Sequence, residues 1–145
     1  MIQRYTRPEM GKLWDIETKY QKWLDVEIAA CEAWSELGKI PKDALKAIKK
    51  KARFDIKRID EIEKVVKHDV IAFLTSVAQN LGTESRFIHR GLTSSDILDT
   101  ALALLLRDAS DIIIKDIQEL MDVLKRQAYK YKNTPMMGRS HGVHA

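Results

Sequence analysis

Cysteine, proline and glycine are scarce in this 145-residue sequence, and each scarcity narrows the class of protein. The single cysteine, Cys31, excludes a disulfide framework within the chain. It falls on the apolar side of a helical pattern, which favours a reduced core thiol over a nucleophile or a metal ligand. Three prolines and six glycines leave little material for turns, so the sequence indicates long regular elements.

Long apolar runs are missing as well. The longest, at residues 101–106, ends at Arg107 and is far shorter than the roughly 20 residues that span a bilayer. The segment MIQRYTRPEM has no apolar stretch after its first charges, so no secretory signal is expected and the predicted location is the cytoplasm. With 45% hydrophobic and 32% charged residues, the composition indicates a folded, soluble, helix-rich protein.

The net charge of +4 raises the possibility of nucleic-acid binding. The basic surplus lies in residues 42–58, which hold eight Lys and Arg against two Asp and Glu. Its densest part, Lys49 to Lys51, has no interleaved aromatic side chains on which bases stack. The surplus is therefore interpreted as one solvated helix face, and no nucleic-acid partner is predicted.

Apolar residues recur at three- and four-residue spacing through most of the sequence, which predicts amphipathic helices. The first long helix is predicted from Asp15 to a left-handed exit at Gly38. Its apolar stripe comprises Ile16, Tyr20, Trp23, Leu24, Ile28, Cys31, Trp34 and Leu37. Shorter helices are predicted to start at Arg7-Pro8-Glu9, to run from Pro41 through Ile48, to follow the cap Asp55, and to run from Val70 to Gly82. A loop is predicted from Thr83 to Leu92.

One helix of about ten turns is predicted from Ser95 to about Lys132, because this stretch has no Pro or Gly and keeps a helical period. Pro135 disfavours helical geometry at Thr134 and ends it. Helices of this length usually belong to bundles, coiled coils or repeats, so partners beyond these residues are needed. The prediction is an all-α fold with a small helical domain at residues 1–92 and the start of a second domain at 93–145.

The long helix begins with Thr93, Ser94 and Ser95, where unpaired N–H groups and the helix dipole favour an anion. One interpretation is a simple N-cap, which uses one hydroxyl oxygen of the three. The other is a carboxylate site, to which the remaining hydroxyls and a close backbone approach at Gly91 contribute.

Four histidines lie in or beside breaks of the helical pattern, where sites are usually built. In GRSHGVHA, flanking glycines let His141 adopt strained geometry and let a ligand approach, although a structural loop histidine is the alternative. His144 follows at a spacing that metal sites also use, but no cysteine or third ligand accompanies the pair, so no metal is predicted.

The segment KHDV places Lys67, His68 and Asp69 together at a helix junction. A carboxylate beside an imidazole fixes its tautomer and raises its basicity. Asp69 equally fits the cap of the following helix. Each of these motifs is weak when it is considered alone.

Their combination is more specific. RYTRPEM with a Trp shortly after it, then KHDVIAF, HRGLTSSDILDT and GRSHGVHA, resembles the N-terminal portion of the adenylosuccinate lyase family, in that family's order and spacing. GRSHGVHA is similar to a segment shared across the fumarase/aspartase superfamily, whereas TSSD preceded by HRG is more specific. The resemblance implies that the long helix is the first of a central helical bundle.

The resemblance also implies an activity: β-elimination of fumarate from adenylosuccinate to give AMP, and from the succinyl-carboxamide imidazole ribotide of purine synthesis. It implies no metal or organic cofactor, and a homotetramer. By motif, His141 corresponds to the general acid, and Thr93 and Ser94 to the hydroxyls that hold the succinyl carboxylate. Arg4 and Tyr5 correspond to nucleotide-contacting positions. Lys67, His68 and Asp69 correspond to a segment that meets the substrate near its phosphate and reacting centre, and His89 is a second-tier candidate for substrate binding.

One departure from the family is large. The stretch close to Ser-Ser-x-Met-Pro-x-Lys-x-Asn-Pro, which resembles the source of the catalytic base, does not occur in this sequence. The chain is therefore expected to be a fragment that is inactive alone, with its base outside residues 1–145. The alternatives are another fumarate-releasing superfamily lyase, such as a carboxymuconate cycloisomerase-like protein, and a non-catalytic helical oligomerisation module.

Overall fold

The computed structural model describes residues 2–144 and confirms the all-α prediction. Its helices are α1 (Pro8–Leu13), α2 (Ile16–Glu36), α3 (Lys42–Lys51), α4 (Ile56–Val66), α5 (Asp69–Leu81) and α6 (Ser94–Tyr131). Short 3-10 helices occupy Gln3–Tyr5 and Gly82–Phe87. Two-residue strands, β1 (Arg139–Ser140) and β2 (Val143–His144), pair antiparallel.

The predicted helix boundaries agree with the structure to within a few residues. Asp15 caps α2 by accepting a hydrogen bond from the Thr18 N–H at 2.7 Å, and Asp55 caps α4 in the same way. Gly38 follows α2 with a φ of 69°, the left-handed exit that the sequence indicated. The segment predicted as a loop after Gly82 instead begins with a 3-10 helix.

The described chain forms two compact units, Met1–Ala109 and Ser110–Ala145, and α6 contributes residues to both. The two units are distinguished by how closely their residues pack, and not by a boundary in the sequence. The domain boundary near residue 92 remains a prediction from the sequence.

The core of the first unit is built around aromatic side chains of α2 and α5. Tyr20 stacks on Phe73 with ring centroids 5.7 Å apart, and Trp23 meets Phe73 edge-on at 5.5 Å. Ile97 and Ala101 of α6 belong to the same buried cluster. Two members of the apolar stripe predicted for α2 are not buried. Ile16 and Leu37, at the two ends of the stripe, are exposed.

The apolar stripe of α6 is buried only in its first part. Ile97, Ala101 and Leu105 are buried, whereas Ile117, Leu120 and Leu124, farther along, are exposed. The basic run Lys49 to Lys51 is also exposed, in agreement with a solvated helix face. Within residues 2–144, no helix combines the length and the apolar character that crossing a membrane requires.

Candidate functional site

Three residues other than glycine have a positive φ within the described residues, and all three belong to motifs singled out above. They are Lys67 at 54°, His89 at 61° and His141 at 48°. Positive φ is uncommon for residues with a side chain and is maintained only where surrounding structure compensates for its cost. Two of them stand where left-handed backbone has a local cause, Lys67 at the end of α4 and His141 in a hairpin turn.

At the α4–α5 junction, Lys67 ends α4 in left-handed geometry and His68 caps α5. The His68 Nδ1 atom accepts a hydrogen bond from the Ile71 N–H at 3.4 Å. Asp69 is the first residue of α5, and its carboxylate lies 3.7 Å from His68 Nδ1. The cap that the sequence analysis considered for Asp69 is thus provided by His68, and the two side chains lie together as KHDV suggested.

The segment between the 3-10 helix Gly82–Phe87 and α6 carries His89 and is called the His89 loop. A buried carboxylate of α2 holds this loop in place. Glu27 Oε2 accepts the main-chain N–H of His89 at 2.8 Å, and Glu27 Oε1 lies 2.7 Å from His89 Nδ1. The Glu27 side chain is fully buried, and that of His89 is 25% exposed. An ionised carboxylate only accepts, so this network assigns the ring proton to Nδ1.

Two further contacts anchor the same loop. The Trp34 indole N–H donates to the Arg90 carbonyl at 2.8 Å, and Arg90 donates to the Lys39 carbonyl at 3.1 Å. Gly91 has a φ of 73°, and a Cβ there would lie 3.2 Å from the Trp34 ring. Glycine is therefore required both by the backbone conformation and by close packing. This loop leads directly into Thr93 and the start of α6.

The start of α6 is closed by a carboxylate rather than by a hydroxyl. The Thr93 N–H donates to Asp96 Oδ2 at 2.8 Å, which is the return half of a capping box. No hydrogen bond to the hydroxyls of Thr93 or Ser94 is present in the part of the chain that the structure describes. The simple N-cap interpretation is therefore wrong for these hydroxyls, and both remain available to a ligand.

The second unit contains the two GRSHGVHA histidines in a hairpin. His141 and Gly142 form its turn, both with positive φ, as a type I′ connection requires. His144 has both ring nitrogens occupied, one by Arg139 at 2.9 Å and the other by the Met137 sulfur. His141 is exposed and makes no side-chain hydrogen bond within residues 2–144. Within the described residues, the ring nitrogens of His144 therefore have partners in the hairpin, whereas those of His141 have none.

Arg4 and Tyr5 lie in the first 3-10 helix, and both are exposed. The Arg4 guanidinium stacks over the Tyr5 ring at 4.7 Å from its centroid. Among residues 2–144, no group of three His, Cys, Asp or Glu side chains is arranged to hold a metal ion.

A cavity of about 320 Å³ lies between α5 and the His89 loop. One wall is a face of α5 that includes Ile71, the residue whose N–H is capped by His68. The other wall includes Arg86 and His89. Another cavity, of about 460 Å³ between α2 and α6, is lined by none of the predicted site residues.

Glu27 is the site residue that sequence reasoning missed. It lies three residues after Leu24 and four before Cys31, so it occupies the buried face of α2. A charged residue within an apolar stripe is unusual unless it is paired, and that signal was available in the sequence. The partner of Glu27 could not be identified from the sequence, because His89 lies 62 residues farther along the chain.

Comparison with known proteins places these features in a family. A model of the family described as Lyase matches residues 3–145. Adenylosuccinate lyases from Aquifex aeolicus and Bacillus subtilis are 59% and 54% identical over the whole chain, and one from Synechocystis sp. is 56% identical. The chain spans about a third of the length of each, since it covers 34% of these relatives.

Solved structures agree with this result. A fumarate lyase from Mesorhizobium sp. BNC1 matches with a TM-score of 0.83 at 27% identity, covering 94% of this chain and 33% of its own. A 3-carboxy-cis,cis-muconate lactonizing enzyme from Pseudomonas putida matches with a TM-score of 0.81 at 31% identity, covering 97% and 34%. Because the family model matches almost the whole sequence, the chain belongs to the Lyase family.

Proposed function

We propose that this chain is the N-terminal portion of an adenylosuccinate lyase. The complete enzyme would eliminate fumarate from adenylosuccinate to give AMP, and from the succinyl-carboxamide imidazole ribotide. The observation that carries the proposal is identity of 54–59% to three adenylosuccinate lyases along the entire chain. The motifs KHDV and HRGLTSSD, which distinguish this family from its superfamily, support the same assignment.

In this proposal His141 is the general acid that protonates the departing nitrogen. A positioned acid must reach the reacting atom without being consumed by another contact, and the exposed, unbonded imidazole at the hairpin turn fits that requirement. Its neighbour His144 is a poorer candidate, since both of its ring nitrogens are occupied.

Thr93 and Ser94 are proposed to hold the succinyl carboxylate. Their hydroxyls are unbonded within the described residues, and they stand where the dipole of a 38-residue helix favours an anion. Arg4 and Tyr5 are proposed to contact the nucleotide, and Lys67, His68 and Asp69 to meet the substrate near its phosphate and reacting centre. His89 is a second-tier candidate for substrate binding. No metal or organic cofactor is part of the proposal.

The catalytic base is proposed to come from outside residues 1–145, in the serine-containing stretch that this sequence lacks. The complete enzyme is further proposed to be a cytoplasmic homotetramer. Exposed apolar residues on the second part of α6 support an assembled state, because water does not favour such a surface.

A second lyase activity is kept as the alternative, because the solved structures that match include a muconate lactonizing enzyme. The test is a substrate panel with a full-length enzyme that carries this segment. We expect turnover of adenylosuccinate and the imidazole ribotide and none of 3-carboxy-cis,cis-muconate. Turnover of the muconate alone would contradict the proposal, and failure to bind AMP would favour the non-catalytic helical module.

A further inference from the structure

We propose that Glu27 is a positioning residue that holds the His89 imidazole with its proton on Nδ1, so that Nε2 accepts a hydrogen bond from the substrate. The inference deepens the proposed function and depends on it, since His89 is a nucleotide-binding residue only within that function. The carboxylate itself would not touch the nucleotide.

Glu27 is a carboxylate buried inside the protein. Its side chain is fully buried, and an isolated carboxylate in such a place is strongly unfavourable. Both of its oxygens are committed to one residue, at 2.8 Å to the His89 main-chain N–H and 2.7 Å to Nδ1. Charge-assisted hydrogen bonds of these lengths are among the stronger kinds in proteins. The pair therefore fixes both the backbone and the ring of His89.

The backbone of His89 is in the left-handed region. Its φ of 61° is unfavourable for a residue with a side chain, and a loop that needed only to turn would use glycine, as it does at Gly91. The two hydrogen bonds to Glu27 offset the cost of this conformation at His89.

The other ring nitrogen of His89, Nε2, is the one proposed to meet the substrate. His89 lines the cavity of about 320 Å³ between its loop and α5, and no hydrogen bond to Nε2 occurs within residues 2–144. Because Glu27 takes the proton on Nδ1, the neutral ring carries its lone pair on Nε2. A hydroxyl or amino group of the nucleotide would supply the complementary donor.

The substitution Glu27→Gln tests the assignment by reversing the tautomer. The glutamine oxygen must accept the His89 main-chain N–H, so its NH₂ group faces Nδ1 and forces that nitrogen to accept. Histidine-selective ¹⁵N spectra at about pH 9, above the usual titration range of imidazole, report which nitrogen carries the proton. We expect Nδ1 in the wild-type chain and Nε2 in Glu27→Gln, with the His89 signals identified from a His89→Gln chain.

Kinetics of a full-length enzyme carrying this segment test the functional part. Glu27→Gln should raise the KM for adenylosuccinate about tenfold, the upper end of the value of one hydrogen bond between uncharged groups, with a much smaller change in kcat. The double variant Glu27→Gln/His89→Gln should be no worse than His89→Gln, because Glu27 acts through His89. Glu36→Gln, the same change at an exposed position of α2, is the matched control and should leave KM unchanged.

The outcomes separate the two proposals. A wild-type chain with the proton on Nε2 would overturn the positioning role. So would additive losses in the double variant, or an unchanged KM in Glu27→Gln, even if the enzyme remained an active lyase. If the wild-type full-length enzyme released no fumarate while the tautomer reversed as expected, the proposed function would fail and the geometry of the Glu27–His89 pair would stand.

Discussion

At the residue scale, burial decides which polar side chains are available for chemistry. Cys31 is buried, and its Sγ donates to the Phe87 carbonyl at 3.6 Å. Burial, aided by the nearby carboxylates of Glu27 and Glu32, raises the pKa of the thiol from 9.0 to about 11. The thiolate is the reactive form, so this cysteine is chemically inert near neutral pH, as the sequence suggested.

The raised pKa has a consequence for stability. From pH 9.0 to about 11 the unfolded thiol loses its proton while the folded thiol keeps it, so the free energy of unfolding falls as pH rises. Cys31→Ala should lack this decline. The measurement is the difference in Tm between the two chains at about pH 8 and about pH 10.5, which we expect to shrink at the higher pH. A constant difference would contradict the assignment, and Tyr20, whose pKa burial also raises, affects both chains alike.

His141 is the residue on which the proposed chemistry depends most. In a full-length enzyme His141→Gln should lower kcat by about 10²–10⁴-fold while substrate still binds, because a general acid acts in the transition state. His144→Gln is the matched control from the same hairpin and should lower kcat far less. The assay is fumarate release together with adenylosuccinate binding. A kcat within about tenfold of wild type for His141→Gln would exclude the acid role.

At the scale of elements, the sequence predicted helices well because their signals are local. Asp15 and Asp55 as caps, Gly38 as an exit and the three- to four-residue apolar spacing all act within one or two turns. The 3-10 helix after Gly82 carried no comparable period. The cap of α6 was not predicted correctly. The hydroxyls of Thr93 to Ser95 were expected to provide it, whereas Asp96, the third residue of the helix, accepts the Thr93 N–H.

The start of α6 gives a prediction of its own. In a full-length enzyme, Thr93→Ala with Ser94→Ala should weaken binding of fumarate and adenylosuccinate much more than binding of AMP. The hydroxyls are assigned to the succinyl carboxylate, which AMP lacks, and the Asp96 cap on the Thr93 N–H is retained in this variant. The measurement is Kd for the three ligands. Equal losses for all three would indicate damage to the helix start instead, for which Asp96→Asn provides the comparison.

At the scale of the whole molecule, the candidate site was only partly predictable. Lys67, His68 and Asp69 were found together because they are adjacent in sequence, and the positive φ of His141 followed from its flanking glycines. The Glu27–His89 pair joins residues 62 positions apart, and no local pattern encodes such a contact. Contacts between residues far apart in the sequence, such as Glu27 and His89, became visible only in the folded structure.

The second unit leads to a prediction about assembly. Ile113, Ile117, Leu120 and Leu124 recur at four-, three- and four-residue spacing on one face of α6, and each is at least half exposed. Such an apolar stripe favours association with a second surface, so the 145-residue chain should form dimers or larger species. Ile117→Glu with Leu124→Glu should reduce the mass seen by light scattering and leave the helical circular dichroism signal unchanged. A monomeric wild-type chain would contradict this expectation.

The same chain should release no fumarate, although it should remain substantially helical. It spans about a third of its relatives, and the serine-containing stretch proposed to supply the base is absent from its sequence. Without that base the Cβ proton has no acceptor, even when His141 is in place.

The assay is fumarate release from adenylosuccinate at high protein concentration, with and without a separately expressed segment that supplies the remaining two thirds of the enzyme. We expect activity only in the mixture. Turnover by the 145-residue chain alone would mean that a base lies within these residues, and His68 would then be the first histidine to substitute, because its Nδ1 atom lies 3.7 Å from the Asp69 carboxylate.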